Sequence, residues 1–206
     1  MGLRVSEQGT TDRKTRILDV AQELFAEHGF EAVSMRDIAT DAGVSLALLT
    51  YHFGTKDRLY REIFIRQKAV LDARVAHLEG ADPAANDRLD QIVAAFVEPQ
   101  MRLRDTPDGL AFARLLAREA TDPSSEGRGI IEELYDPMAR RFIAALQEAL
   151  PDVSPERIRW GYLFAVGAMS MSALDDRVQR FGAGEVPSLQ EKVDLLKTFI
   201  RGGWAG

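Results

Sequence analysis

Apolar residues recur at spacings of three and four along most of this chain. Ile17, Leu18, Ala21, Leu24 and Phe25 form the first stripe, the pattern of an amphipathic helix, with Gly29 as its expected end. Ser34 and Asp37, three apart, predict a capping box opening a second helix that carries Ile38 and Ala39 inward and stops at Gly43. Ser45 caps a short third helix to about Phe53. Thr55, with Asp57 in the first turn, opens a long fourth one marked by Leu59, Ile63, Val70, Leu71 and Leu78, which ends at Gly80. Asp82-Pro83 predicts the start of a fifth, with Leu89, Ile92, Val93 and Phe96 and a bend near Pro99. Thr106-Pro107 repeats the signal before Phe112, Leu115 and Leu116. Ile130, Ile131, Leu134, Met138, Phe142 and Leu146 outline a seventh helix, kinked at Pro137. Ser154-Pro155 starts an eighth, expected to reach about Val178. Ser188 and Glu191 cap a ninth containing Val193, Leu196, Phe199 and Ile200, after which residues 202–206 are expected to fray.

No run alternates with period two and no Asn-Gly or Asp-Gly hairpin lies between apolar runs. The expectation is therefore an all-α protein of about nine helices. It divides into a flexible tail over 1–11, a helix-turn-helix domain over 12–60, and a larger helical domain over 61–206.

Composition narrows the function. With no cysteine, thiolate metal sites, disulfides and cysteine nucleophiles are excluded. The longest uncharged stretch, Trp160 to Leu174, is 15 residues, against the roughly 20 apolar residues that span a bilayer; it reads as a buried helix, and no membrane is expected as partner. The first residues show no apolar leader, which suggests a cytoplasmic protein. Histidine occurs three times, at His28, His52 and His77, and no HExxH, G-x-S-x-G, G-x-G-x-x-G or phosphate-binding loop is present, so neither an enzyme nor a cofactor is expected. Net charge is -6, and residues 1–60 hold seven Lys/Arg against nine Asp/Glu. Bulk charge thus argues against general nucleic-acid affinity, and a DNA-binding role has to rest on the placement of particular residues.

The informative window is Ser34 to Leu59, SMRDIATDAGVSLALLTYHFGTKDRL. A short helix ends at Gly43, where a tight turn needs a permissive backbone. Val44 and Leu49 are placed to pack a second short helix onto the first, leaving its other face free to enter a major groove. Ser34, Ser45 and Thr55 would cap helices whether or not DNA binds, so the joint pattern carries the weight.

This window, with the preceding ILDVAQELFAEHGF and the following tyrosine, resembles the tetracycline-repressor (TetR) family of bacterial regulators over roughly residues 14 to 60. The run GVSLALLTYHFGTKDRL is also similar to a subgroup that includes fatty-acid-responsive repressors. The resemblance implies a homodimeric repressor bound to a palindromic operator in double-stranded DNA. Ser34 would offer its hydroxyl and nearby amides to a phosphate, and Arg36 would reach a base, guanine above all. The helix from Ser45 would present Leu46, Ala47, Leu48 and Thr50 to the groove. Tyr51, His52 and Lys56 would contact phosphates, as would Thr11, Arg13 and Lys14 from the first helix. Where the family often has polar residues, this chain has Leu46, Ala47 and Leu48, so thymine methyls and DNA shape would carry more of the readout. The rival reading is a helical protein-interaction module without DNA binding.

For the second domain the family implies dimerisation and inducer binding. The stretch from Trp160 to Leu174 is apolar nearly all round and, with the last helix, would form a four-helix bundle with a twin subunit; an intramolecular core helix is the alternative. Phe96, Met101, Phe112, Leu115, Leu116, Glu119, Phe142, Trp160, Phe164 and Met169 are candidate pocket residues for a hydrophobic inducer, with Arg118 or Glu119 at a polar head. The same stripe also reads as plain core, and Glu119 leaves open an acidic pocket for cationic compounds.

Overall fold

A computed structural model describes residues 4–174, 177, 181 and 187–205, with side chains for all of these except 4–11 and 205. Ten α-helices are described: α1 (Arg4–His28), α2 (Met35–Asp41), α3 (Leu46–Phe53), α4 (Lys56–Arg66), α5 (Lys68–Glu79), α6 (Arg88–Leu103), α7 (Pro107–Thr121), α8 (Asp136–Ala149), α9 (Pro155–Leu174) and α10 (Leu189–Ala205). A 3₁₀ turn (Ser125–Arg128) and a π-helical turn (Ile131–Tyr135) link α7 to α8. No strand occurs among the described residues. The chain divides into two compact units, Met1–Gln67 and Lys68–Gly206, so residues 61–67 belong with the first unit.

In the first unit, the stripe on α1 packs onto α2 and α4. Ile17, Ala21, Phe25, Ile38, Leu49, Leu59, Tyr60, Ile63 and Phe64 are fully buried or nearly so. The Tyr60 ring meets Phe25 edge-on at 4.9 Å and Phe30 at 4.8 Å. The expected caps form: Ser34 and Asp37 make a complete capping box, and Ser45 and Thr55 accept from Leu48 N–H and Arg58 N–H.

Several local expectations give way. Helix α1 begins at Arg4, so the segment expected as a tail is helical from that residue; residues 1–3 lie outside the described set. The long fourth helix is two helices. At Gln67 the N–H bonds to Phe64 C=O, three residues back, the tighter 3₁₀ connection, and neither Gly nor Pro announces it in the sequence. Pro83 does not open α6. Instead Asp82 Oδ1 accepts from Ala84 N–H at 2.9 Å, an Asx turn, while Asp82 N–H donates to Gln91 Oε1 at 2.9 Å. Pro137 lies, as expected, inside a continuous helical stretch over 130–149, and the π-helical turn directly before it relieves the clash its ring would cause.

The second unit is built around α6, which packs on α5, α8 and α10, while α7 and α10 pack on α9. Ile92, Val97, Phe142, Leu146 and Ile158 are at or below 1 % exposure at its centre. The C-terminal segment expected to fray is helical through Ala205, and Trp204 is buried. Its indole lies close against Gly161 of α9: a Cβ there would sit 2.1 Å from Trp204 Nε1. Gly161 thus permits a close helix approach within the subunit. The eighth predicted helix is described to Leu174; its expected extension to about Val178 lies outside the described residues.

Candidate nucleic-acid interface

Helices α2 and α3 are joined by a turn that only local chemistry could produce. Gly43 has φ +66°, a conformation that side chains with a Cβ resist. Val44 N–H then reaches back to Ala39 C=O at 2.9 Å, closing the end of α2 in a Schellman-type motif. Helix α3 packs on α2 and α4, with Leu49 and Phe53 buried beneath it.

Ser45, Leu46, Ala47, Thr50 and Tyr51 lie exposed on its opposite face, Tyr51 at 83 %. Leu48 and His52 are half-buried at its edges, and the Tyr51 and His52 rings meet edge-on at 5.3 Å. Ser34 and Arg36 are exposed at the start of α2. Ser34 Oγ accepts from Asp37 N–H at 3.2 Å and donates to Asp37 Oδ2 at 2.6 Å. The bonds that Asp37 Oδ2 accepts from Ser34 Oγ and, at 2.9 Å, from Ser34 N–H hold its carboxyl below its ordinary pKa. Lys56 is more constrained than a free phosphate clamp. Its ammonium donates to Phe30 C=O at 2.7 Å and Val33 C=O at 3.0 Å and lies 4.1 Å from the Phe30 ring centre. Lys14 lies 3.5 Å from Glu62 and 5.6 Å from the Phe53 ring centre; Arg13 is exposed, and the Thr11 side chain lies outside the described set.

Two arginines were missed by sequence reasoning. The Arg16 guanidinium lies against the Gly43 turn, 3.5 Å from where a Cβ would stand, and Arg58 makes the same approach to Gly54. Both are exposed. The signal for Arg16 was its position immediately before Ile17, the first residue of the apolar stripe on α1. Helix α3 itself carries no Lys, Arg, Asp or Glu. The arrangement is thus a protruding apolar and hydroxyl-bearing helix face edged by cations, on a firmly packed base.

In the second unit the candidate pocket residues separate into groups. Phe96, Met101, Phe112, Leu115, Phe142 and Met169 are buried and Leu116 is half-buried. Phe96 and Phe142 meet at 5.5 Å and line a cavity of about 10 Å³ together with Ile92, Val93, Leu146 and Trp204. Trp160 and Phe164 do not join them. They stand on the outer side of α9 at 52 % and 65 % exposure, with Leu163 and Met171, while Leu195 and Phe199 are exposed on α10. Glu119 is buried and already engaged: its two oxygens accept from Arg128 at 2.7 to 3.2 Å. Arg128 also pairs with Asp122 at 2.5 Å. Arg118 is exposed. No group of ligands suited to a metal ion occurs among the described residues, and no helix among them is long and apolar enough to cross a membrane.

Residues 17–63 match the pattern of the bacterial regulatory proteins of the tetR family, and residues 94–203 match the tetracyclin repressor-like C-terminal domain. The chain belongs to the TetR family. It is therefore a DNA-binding, ligand-responsive transcriptional regulator. Over 204 residues it is 33 % identical to the transcriptional repressor Rv1474c of Mycobacterium tuberculosis, covering 96 % of this chain and 98 % of that one. Its fold is similar to that of the fatty acid degradation regulator FadR from Bacillus halodurans, at TM-score 0.67 and 18 % identity over 93 % and 95 % of the two chains. The regulator PfmR from Thermus thermophilus is likewise similar, at TM-score 0.62 and 23 % identity over 91 % and 98 %.

Proposed function

We propose that this TetR-family chain is a cytoplasmic repressor that grips a palindromic operator as a homodimer and lets go when an apolar small molecule enters the second unit. The observation that carries the reading is the α3 face of Ser45, Leu46, Ala47, Thr50 and Tyr51, held outward by buried Leu49 and Phe53. A helix so presented fits the major groove. Leu46 and Ala47 suit thymine methyls, Arg36 at the edge suits guanine, and Ser34, Tyr51 and His52 suit phosphates. Lys56 keeps one N–H free of its two carbonyl bonds and delivers a positive charge to the backbone.

The outer stripes of α9 and α10 support the dimer. Trp160, Leu163, Phe164 and Met171 follow one another at helical spacing, and Leu195 and Phe199 continue the apolar surface on α10. Exposed apolar area of this kind is characteristic of an interface, and a two-fold axis through it would pair the same helices of each subunit. Such a dimer would set two α3 helices about 34 to 36 Å apart, one helical turn of DNA. Release follows if the inducer prefers the form with another spacing, to the extent of that preference.

Gel retardation of DNA fragments upstream of the gene and its neighbours, at low salt, tests the reading. A retarded fragment with a two-fold symmetric footprint is expected. Retardation of none would replace it with a helical protein-interaction module.

A further inference from the structure

One fully enclosed charge in the second unit has no carboxylate beside it. Arg74, in the middle of α5, is 2 % exposed. Its guanidinium lies 4.4 Å from the Phe96 ring centre and 5.5 Å from that of Phe142. Neither Nε nor Nη2 has a hydrogen-bond partner. The groups acting on its charge are Tyr162 and Tyr135, with no carboxylate among them. Burial draws its pKa down to about 10, so it stays protonated at neutral pH.

Other arginines drawn into this unit have more partners, although Arg88 Nε and Arg104 Nε are also buried without an acceptor. Arg128 has Glu119 and Asp122, Arg88 has Glu148, and Arg104 donates to Met169 C=O and Ser172 Oγ. Two aromatic faces offset only part of the cost of removing a cation from water. The rings that cover Arg74 also line the apolar cavity, whose wall includes Trp204, and Trp204 Nε1 is another buried donor without an acceptor. Arg74 itself does not line the cavity, so its unused donors lie behind those rings and come within a ligand's reach only when the wall opens.

We propose that the inducer is an amphiphilic organic acid whose carboxylate pairs with Arg74 and whose apolar body occupies a widened form of the Phe96–Phe142 cavity. This rests on the reading of the second unit as inducer-binding and names the class of compound. A carboxylate matches the guanidinium fork and supplies the missing acceptors. At about 10 Å³ the cavity holds no more than one water, so binding selects an opened core. Arg74 lies on the helix that follows α4 after the single residue Gln67, which places the ligand's charged contact on the segment leading directly into the DNA-binding unit.

Titration calorimetry on the full chain with decanoate, decanol and acetate tests the assignment. Decanoate is expected to bind more tightly than either of the others. Arg74→Met should weaken decanoate about ten- to a hundredfold and leave decanol unchanged, while Arg74→Lys should retain part of the preference. Without ligand, Arg74→Met should be at least as heat-stable as the parent, because an uncompensated charge has gone. A less stable Arg74→Met would make Arg74 a structural residue and overturn the proposal. Equal affinity for decanol also overturns it, leaving an uncharged apolar inducer; equal affinity for acetate reduces the site to one for a bare anion. Binding of none of the three overturns it as well, and operator retardation on the same sample then reports separately whether the regulator reading stands.

Discussion

The ammonium of Lys56 and the carbonyl of Phe30 are 2.7 Å apart, across a sequence separation of 26 residues. With the bond to Val33 C=O and the stack over the Phe30 ring, this side chain ties the first residue of α4 to the link between α1 and α2. It consequently fixes the start of α4 beside the proposed DNA-binding surface as well as adding charge there.

Lys56→Ala should therefore show two effects. Loss of charged hydrogen bonds to backbone carbonyls is expected to destabilise the first unit by about 1 to 3 kcal/mol, read by urea unfolding. Operator affinity should fall for all sequences, with the slope against log salt reduced by about one. An unchanged slope would leave Lys56 with its structural role alone.

Arg36 differs in being exposed, its guanidinium making no hydrogen bond or ion pair among the described residues. Arg36→Ala should leave stability within about 0.5 kcal/mol and cost about 1 to 3 kcal/mol of operator binding, relaxing the preference at one base pair per half-site. Binding to a set of single-base operator variants separates this from a positioning role, for which all variants would weaken alike.

The outer faces of α9 and α10 predict association. Phe164→Glu together with Phe199→Glu puts charges at two exposed apolar positions, so folding should be little affected while a dimer interface is lost. Sedimentation equilibrium should show the parent as a dimer and the double variant as a monomer, with operator affinity lost in parallel. A variant that remains dimeric would place the interface elsewhere.

Acid should act on the Asp122–Arg128 contact. Bonds from Ser124 N–H, Ser124 Oγ and Arg128 lower the Asp122 pKa from 3.8 to about 2. A carboxyl depressed in the folded state stabilises fully above its unfolded pKa, and that contribution disappears as pH falls through the folded value. Asp122→Asn should accordingly be less stable than the parent at neutral pH. The difference should shrink between pH 3.8 and about 2, as followed by thermal unfolding across that range.

How much of this was legible in the sequence differs from element to element. Capping at Ser34, Ser45 and Thr55 and the turn at Gly43 involve residues within four or five positions of each other, and all formed as read. The break at Gln67 and the turn at Asp82 went unseen, because the apolar period continues through the first and the second depends on Gln91, nine residues on. Among candidate site residues, those of α3 were legible because one buried pair, Leu49 and Phe53, defines which face is left outside. Trp160 and Phe164 were not, since a helix apolar on every side does not reveal which side its own core will cover. The Lys56 role was half visible: its charge is in the sequence, its two carbonyl partners are not.

The sequence by itself determined an all-helical chain, its caps at Ser34, Ser45 and Thr55 and a helix-turn-helix with a largely apolar exposed face, since these follow from side-chain period and short-range hydrogen bonding. Only tertiary structure decided that Trp204 fills the space over Gly161, that Glu119 is taken by Arg128, and that Arg74 is enclosed between Phe96 and Phe142 with donors to spare. Those outcomes depend on which distant helices are brought together, and the free energy of a buried charge or an orphaned donor is set by the neighbours that packing supplies.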